Sequence, residues 1–440
     1  MPIRDIIIST LLFASIPPCF FSPFWGISMW IVVGMLNPHE FMWKMAFEFP
    51  WALLVALPTL IGFAIFTRKW TRLASSQTVL IVVLWLWFTF TTIHNSSMPE
   101  FSGFAADTWR RWGLVSKVML MAVMMTAIVD SWARFRTLIL VVCGSIGLLV
   151  VKALPFMLLT SGEFRVYGPR GSMLADNNDF GLALNMTLPM FFFMARVDPK
   201  PRIRKVMTFL FFATIPSIFF TYSRGALIGF AVILTYMILK LRQRFVLIPV
   251  LVLAAAFGFL LTPERWQHRM DFARSGALID ESALSRINAW TYCWRLAHDY
   301  PLMGGGFEAF TPELFQRYAP NPADVHGPHS IYFGVLAEHG FVGLALYLLL
   351  LGSCFVDLAK VRRFARREGD ERIRGYANMI EICLLAFLIV GTFLGRAYFD
   401  YYFTLVACTA MLKRLCREEG SFVALEEDEE TVLEMGGEVA

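Results

Sequence analysis

Apolar blocks of about twenty residues recur along most of this 440-residue chain. They fall near residues 6–36, 51–66, 78–93, 113–129, 137–159, 180–195, 206–222, 224–239, 245–262, 330–356, 379–394 and 398–412. A helix that crosses a bilayer needs about 20 apolar residues. A chain that repeats such a block this often has no single soluble core to fill. Composition agrees, with 57% of residues hydrophobic and 17% charged, against about 45–50% and about 25% in a soluble domain. An ordinary cytosolic enzyme, a disordered chain and a coiled coil are thereby excluded. The expected fold is an all-α polytopic membrane protein of about twelve transmembrane helices. The first block carries Pro17–Pro18, and both one kinked helix and two short ones fit it. Its opening, MPIRDIIISTLLFASIPP, lacks a small-residue cleavage site and runs into more apolar sequence, so it reads as a retained first span.

Basic residues set the expected orientation. The connections Arg68–Arg72, Arg134–Arg136, Arg196–Lys205, Lys240–Arg244 and Lys360–Arg374, with Arg4 and Lys413–Arg417, hold 24 of the 39 Lys and Arg. The alternate short connections 37–50, 94–112, 160–178 and 395–397 hold six. The first set is expected in the cytoplasm, with both termini, and an even number of spans agrees. Residues 1–262 then form the first transmembrane part, 263–329 one large periplasmic loop containing short helices, and 330–412 the last transmembrane part. Residues 413–440 read as a disordered acidic cytoplasmic tail. The net charge is +5, but nine acids and no base lie from Glu418 onward, leaving 39 bases against 25 acids before it.

The long loop is far above the usual connection length of about 4–6 residues and reads as a working element. SALSRINAWTYCWRLAHDYP has the pattern of an amphipathic helix, with Ser282 as N-cap and Pro301 beyond the end. Leu284, Ile287, Trp290 or Thr291, and Trp294 keep helical spacing. MGGGF is a turn, and Thr311-Pro312 starts a second short helix. Seven cysteines show no disulfide framework and no zinc spacing. No phosphate loop, DxD pair, HExxH or GxSxG is present, so neither ATP nor a metal-held nucleotide sugar is expected. No cofactor, metal or nucleic-acid partner is expected.

Four features project onto the outer face. Arg224 in TYSRGALIGF opens a span at the boundary, where an ionisable group is a functional candidate and a snorkelling arginine the simpler alternative. Arg286 lies one turn before Trp290, and stacking on an aromatic would equally explain it. In RVYGPRGSMLADNNDFGLAL, Arg165 and Arg170 precede Asp176, Asn177, Asn178 and Asp179, which serve as N-caps or form part of an anion site at a helix N-terminus. In HGPHSIYFGVLAEHGFVG, His329 sits where the loop meets a transmembrane helix. Imidazole is suited to accept a proton near neutral pH. His326, Tyr332, Glu338 and His339 are lesser candidates. Guanidinium binds phosphate through two parallel hydrogen bonds, so arginines beside one histidine at this boundary fit a lipid-linked diphosphate. Arginines would stabilise the diphosphate as leaving group, and the histidine would deprotonate an acceptor hydroxyl. The chemistry is glycosyl transfer from a polyprenyl diphosphate.

At SRGA 223–226, at the Arg286 helix running into DYPLMGGGF, and at PHSIYFGVLAEHGFVG 328–343, the chain resembles the O-antigen ligase and O-antigen polymerase (Wzy-C) superfamily. The WGISMWIVVGMLNPH segment is similar to the O-glycosylation ligases found near exosortase systems. The resemblance implies about twelve transmembrane helices, a large periplasmic loop and no metal. It also implies that His329 is catalytic and that Arg224 and Arg286 are essential, with Arg165 and Asn177 matching more loosely. Ser330 stands where many members carry Asn. The expectation is an inner-membrane O-antigen ligase, a glycosyltransferase of lipopolysaccharide biosynthesis whose site faces the periplasm. It would move a preassembled glycan from undecaprenyl diphosphate to lipid A–core, inverting the anomeric carbon. Arg224, Arg286 and Arg165 would hold the diphosphate, His329 would act as base, and Arg170, Asn177, Asn178, Tyr332 and His326 would support. A polymerase or protein O-glycosylation ligase of the same superfamily, or a lipid-linked-sugar flippase, are the alternatives. Charges at the boundary rather than the midplane disfavour the flippase.

Overall fold

A computed structural model describes residues 3–42, 49–66, 73–160, 162–240 and 281–418, with 248, 249 and 252. The expected span at 245–262 apart from those three positions, the loop segment 263–280 with His268, the basic residues of 68–72 and 242–244, and the tail from 419 lie outside the described residues.

The described regular structure is helical throughout. The apolar blocks become α1 (Ile3–Phe21), α2 (Pro23–Ile31, prolonged by a π turn at Val32–Leu36), α3 (Trp51–Phe66), α4 (Ser76–Ser96), α5 (Ala105–Ile128) and α6 (Trp132–Leu159). They continue as α7 (Asn177–Val197), α8 (Pro201–Phe220) and α9 (Arg224–Lys240). The long connection supplies α10 (Glu281–Asp299) and α11 (Pro312–Tyr318), and α12 (Ile331–Arg367), α13 (Glu371–Gly391) and α14 (Asp400–Glu418) complete the bundle. Among the described residues, eight helices are long and apolar enough to cross a membrane, with shorter apolar helices at Pro23–Leu36 and Trp51–Phe66.

Helix α7 is the core of the bundle. Its residues are buried on every side, from Phe180 to Met194, and it packs on α8 and α13. An apolar helix buried all round belongs at the centre. Helix α8, in contrast, leaves Val206, Phe209 and Phe212 exposed at helical spacing, as a lipid-facing helix does. Small residues bring the helices close: a Cβ on Gly181 would lie 2.7 Å from Ala226 Cβ, and one on Gly229 would lie 2.2 Å from a Val390 methyl. Close approach through small residues is the usual basis of helix association in membranes. Asn185 Nδ2 donates to the Ala226 carbonyl at 3.0 Å, tying α7 to α9.

The bundle has two chemically distinct ends. At the basic end, Arg136 clamps Asp198 through two bonds of 2.7 and 3.0 Å. There too, Lys413 meets Asp357 at 2.9 Å, and Lys240 and Arg362 share Glu381. At the opposite, loop end lie α10, α11 and His329.

The first block forms two helices, broken at Ser22 rather than at Pro17–Pro18, which stay inside α1. Its direction corrects the sequence expectation. Arg134 lies over the Phe24 ring, 5.4 Å away, so α2 begins at the basic end. Lys152 lies 4.3 Å from the Phe41 ring and within electrostatic reach of Arg4. Arg4 is therefore at the loop end, away from the other basic clusters. The neighbouring Asp5, 3.9 Å away, offsets its charge and leaves this one arginine with little to set orientation.

Candidate functional site

The connection 281–329 is bound to the bundle by an interlock of backbones. Helix α12 is broken at Gly340, whose φ of 68° and ψ of −172° are non-helical. The turn after α10 fills the break. Phe341 N–H donates to the Pro301 carbonyl at 2.8 Å, Gly305 N–H to Ala337 at 2.8 Å, and Gly306 N–H to Glu338 at 2.9 Å. A Cβ on Gly340 would lie 2.5 Å from the Leu302 oxygen, and one on Gly304 would lie 2.6 Å from the Ala337 oxygen. Only glycine supplies both the positive φ and the clearance. Irregular backbone at this depth survives because it is enclosed by protein and its polar groups are bonded. Glu338 completes the joint, accepting from Glu308 N–H at 3.1 Å and from Tyr398 Oη at 2.5 Å.

Helix α10 then organises the approach to His329. Asn288 bonds Asn321 in both directions, at 3.0 and 2.7 Å. Trp290 Nε1 donates to the Pro328 carbonyl at 2.8 Å, and its ring stacks on Phe333 at 5.2 Å. The predicted apolar stripe of this helix faces outward: Leu284, Ile287 and Trp294 are exposed, while Ala289, Tyr292, Cys293 and Leu296 are fully buried. His329 itself has a left-handed φ of 44°, unusual for a residue with a Cβ. Strain held at one side chain is a mark of functional positions. Ser330 begins α12 as N-cap, and its buried hydroxyl has no hydrogen-bond partner.

His329 is open on one face and crowded on the other. Burial pulls its imidazole below the ordinary histidine range, and Arg286 and His326 act in the same direction. Asp179 and Asp176 oppose them. The ring is thus held as the neutral base. Arg286 lies 6.0 Å from the Phe393 ring. A Cβ on Gly225, beside Arg224, would lie 3.5 Å from Phe393 Cβ, and one on Gly395 would lie 3.9 Å from the His329 backbone. The segment after α13 is therefore where α9, α10 and the start of α12 meet.

Arg224 is exposed and follows a turn made by Tyr222, whose φ is 54°. Val166 N–H donates to the Phe220 carbonyl at 2.9 Å, and Tyr222 Oη bonds the Gly162 carbonyl. Arg165 is thereby carried to the same turn. Asn177 Nδ2 donates to the Thr221 carbonyl at 2.8 Å, so it fixes the turn to α7. Asn178 bonds Asp176, the N-cap of α7. Arg170 adjoins Gly171, which lies against Glu40 on the N-terminal side of the molecule. Tyr332 points into the bundle, its hydroxyl donating to the Leu388 carbonyl at 3.2 Å. His326 is 5.9 Å from the His329 ring and bonds Ser285. Asp324 lies 3.4 Å from its Nε2, and Nδ1 faces the Gly327 carbonyl at 2.8 Å. In a nucleophilic triad the carboxylate orients the other ring nitrogen, so this trio braces the loop.

One residue of the site escaped the sequence reading. Arg396, after α13, pairs with the buried Asp179 at 2.5 Å, joining α7 to the segment beside His329. Its signal is the one that marked Arg224: a lone arginine in an apolar hairpin, GTFLGRAYF, at the boundary.

Two family models match the chain. Residues 3–197 match a family of unknown function (DUF5935), and residues 209–348 match the O-antigen ligase family. The second match contains Arg224, Arg286 and His329. No curated protein matches. The O-antigen ligase match spans the turn of Arg224, the loop helix of Arg286 and the His329 junction, and it supports a relationship of this part of the chain to the O-antigen ligase superfamily.

Proposed function

We propose that the protein is an O-antigen ligase of the bacterial inner membrane, transferring a preassembled glycan from undecaprenyl diphosphate to a hydroxyl of a lipid A–core sugar. One observation supports the reading: Arg286 of α10 acts electrostatically on the His329 imidazole and lies 6.0 Å from the Phe393 ring, against which the start of α9 also packs. The concentration of Lys and Arg at the other end supports, by the positive-inside rule, a cytoplasmic side for that end and a periplasmic side for His329.

In this reading Arg224 and Arg286, with Arg165 on the adjoining loop, bind the diphosphate. His329 takes the proton from the acceptor hydroxyl as its oxygen attacks the anomeric carbon. The bond from that carbon to the diphosphate oxygen breaks, and undecaprenyl diphosphate leaves with its negative charge met by guanidinium. Single displacement inverts the anomeric centre. Burial and Arg286 both favour the unprotonated ring, which a base requires.

The test is transfer by the purified protein from a defined lipid-linked donor, with lipid A–core, a growing glycan and a protein offered as acceptors. Mass spectrometry of the product identifies the acceptor. Labelling of lipid A–core is expected. Labelling of the glycan or the protein instead makes the enzyme a polymerase or a protein ligase, and movement of donor across proteoliposomes without any transfer removes the ligase reading.

A further inference from the structure

The helices that carry the His329 cluster at one end enclose a cavity at the other. Asp179 is on α7, Arg224 opens α9, His329 precedes α12, and Phe393 and Arg396 follow α13. At the basic end these same four helices line a space of about 920 Å³. Arg196 comes from α7, Lys240 from α9, Arg362 and Arg366 from α12, and Arg374 and Asn378 from α13. Lys240 and Arg362 converge on one carboxylate, Glu381, and Arg374 meets Glu371. Arg196 lies 3.6 Å from the Phe192 ring and donates to the Phe192 carbonyl at 2.9 Å. Among the described residues named here, five bases stand against two carboxylates, Glu371 and Glu381.

A second, independent observation lies on the cavity wall. Asn378 is 9% exposed, and its amide oxygen has no hydrogen-bond partner. Buried polar groups are nearly always bonded, and the oxygen and nitrogen of an amide exchange places by a half-turn of the group, so this side chain can turn its NH2 donors to the oxygens of an anion. Phe193 and Val197 form an apolar border to the same space.

We propose that this cavity binds a phosphate-bearing anion, either the head group of an acidic phospholipid or free phosphate. Three helices present guanidiniums, whose planar donors match phosphate oxygens. Basic pockets between transmembrane helices suit anionic head groups. The site is distinct from the donor site, since α7 alone separates them by roughly 30 Å at 1.5 Å per residue. The inference does not depend on the ligase reading.

The experiment uses the full chain in detergent. Native mass spectrometry compares retention of phosphatidylglycerol with phosphatidylcholine, with and without 1 mM inorganic phosphate as a chosen competitor concentration, for wild type, Asn378→Leu and the double variant Arg366→Ala/Arg374→Ala. Wild type is expected to prefer the acidic lipid about tenfold, and either variant to lose about that factor, the size of one charge-assisted bond. Displacement of lipid by phosphate, or a rise in melting temperature with phosphate alone, identifies free phosphate as the ligand. Retention unaffected by phosphate identifies the lipid. Equal retention of both lipids with no response to phosphate overturns the proposal, as does undiminished binding in the double variant. That double variant keeps the test decisive should the buried Asn378→Leu change prevent folding.

Discussion

The two ends of the bundle use the same side chain for different purposes. At the basic end, guanidinium and ammonium groups meet buried carboxylates: Arg136 with Asp198, Lys413 with Asp357, Arg362 and Lys240 with Glu381. At the loop end, Arg286 lies by the Phe393 ring and acts on the imidazole of His329, whose backbone is left-handed, and Arg224 stands exposed at a helix start. Arg396 repeats the buried-pair pattern there with Asp179. A cation locked to a carboxylate clamps helices together. Under the proposed function, Arg286 beside the His329 imidazole is positioned to meet an anion that arrives. Arginine count separates the two ends of the bundle, whereas arginine surroundings distinguish the two uses of the side chain.

The comparison breaks most readily at His329. His329→Ala is expected to lower transfer by about 10²–10⁴-fold, the range of general-base catalysis, with an unchanged melting temperature because the ring is open on one face. Wild-type-like turnover would remove the base. Arg286→Ala and Arg224→Ala follow, each with a loss of about 10²–10³-fold, as for removal of one group that stabilises developing charge. Lysine at either position should restore little, since it cannot form the two parallel bonds. Full rescue by lysine would show that charge alone suffices.

Much of the site is legible in the sequence because its signals are local. The N-cap at Thr311 with Pro312 after it forms as expected, the hydroxyl accepting from Leu314 N–H. The loop helix forms as predicted, but Ser282 lies within it rather than capping it, since its described part already includes Glu281. His329 announces itself by its place at a helix start. What the sequence conceals depends on contacts distant along the chain. Arg396 and Asp179 are 217 residues apart, and nothing short-range pairs them. The MGGGF turn reads as a turn, but its insertion into the break at Gly340 is a property of two backbones together. Tyr332 follows His329 by three positions, yet its hydroxyl turns into the bundle. The apolar stripe of α10 keeps helical spacing on its outer side, while the buried side combines Ala289 and Cys293 with Tyr292, a less conspicuous pattern. The direction of α1 is concealed for another reason: Arg4 beside Asp5 is too weak a charge signal to contradict two prolines and a long apolar block.

The basic end should respond in stability rather than rate. Asp198→Ala leaves Arg136 facing a buried void, and breaking such a pair costs on the order of 3 kcal/mol, lessened because the guanidinium is 20% exposed. A lowered melting temperature with transfer retained below it is expected. The reverse, a normal melting temperature with transfer lost, would mean that this end takes part in the chemistry and that the contrast between the ends is false.

The smallest effect concerns pH, and it tests the loop end alone. The folded His329 imidazole is displaced downward by burial first, then by Arg286 and His326. A base works in its unprotonated form, so transfer should persist as pH falls through the ordinary histidine range and decline only below it. For stability the sign is the same: a histidine whose folded value lies below its unfolded value costs stability at low pH, where the unfolded chain binds the extra proton. Arg286→Gln removes a positive neighbour and should move the acid limb of kcat/KM upward, toward the ordinary value, besides lowering the rate. Asp176→Asn removes a negative neighbour and should move it down. These opposite displacements come from charge acting on a single titrating ring; a limb that stays in place in both variants would assign the acid limb to a different group and leave His329 without its role as base.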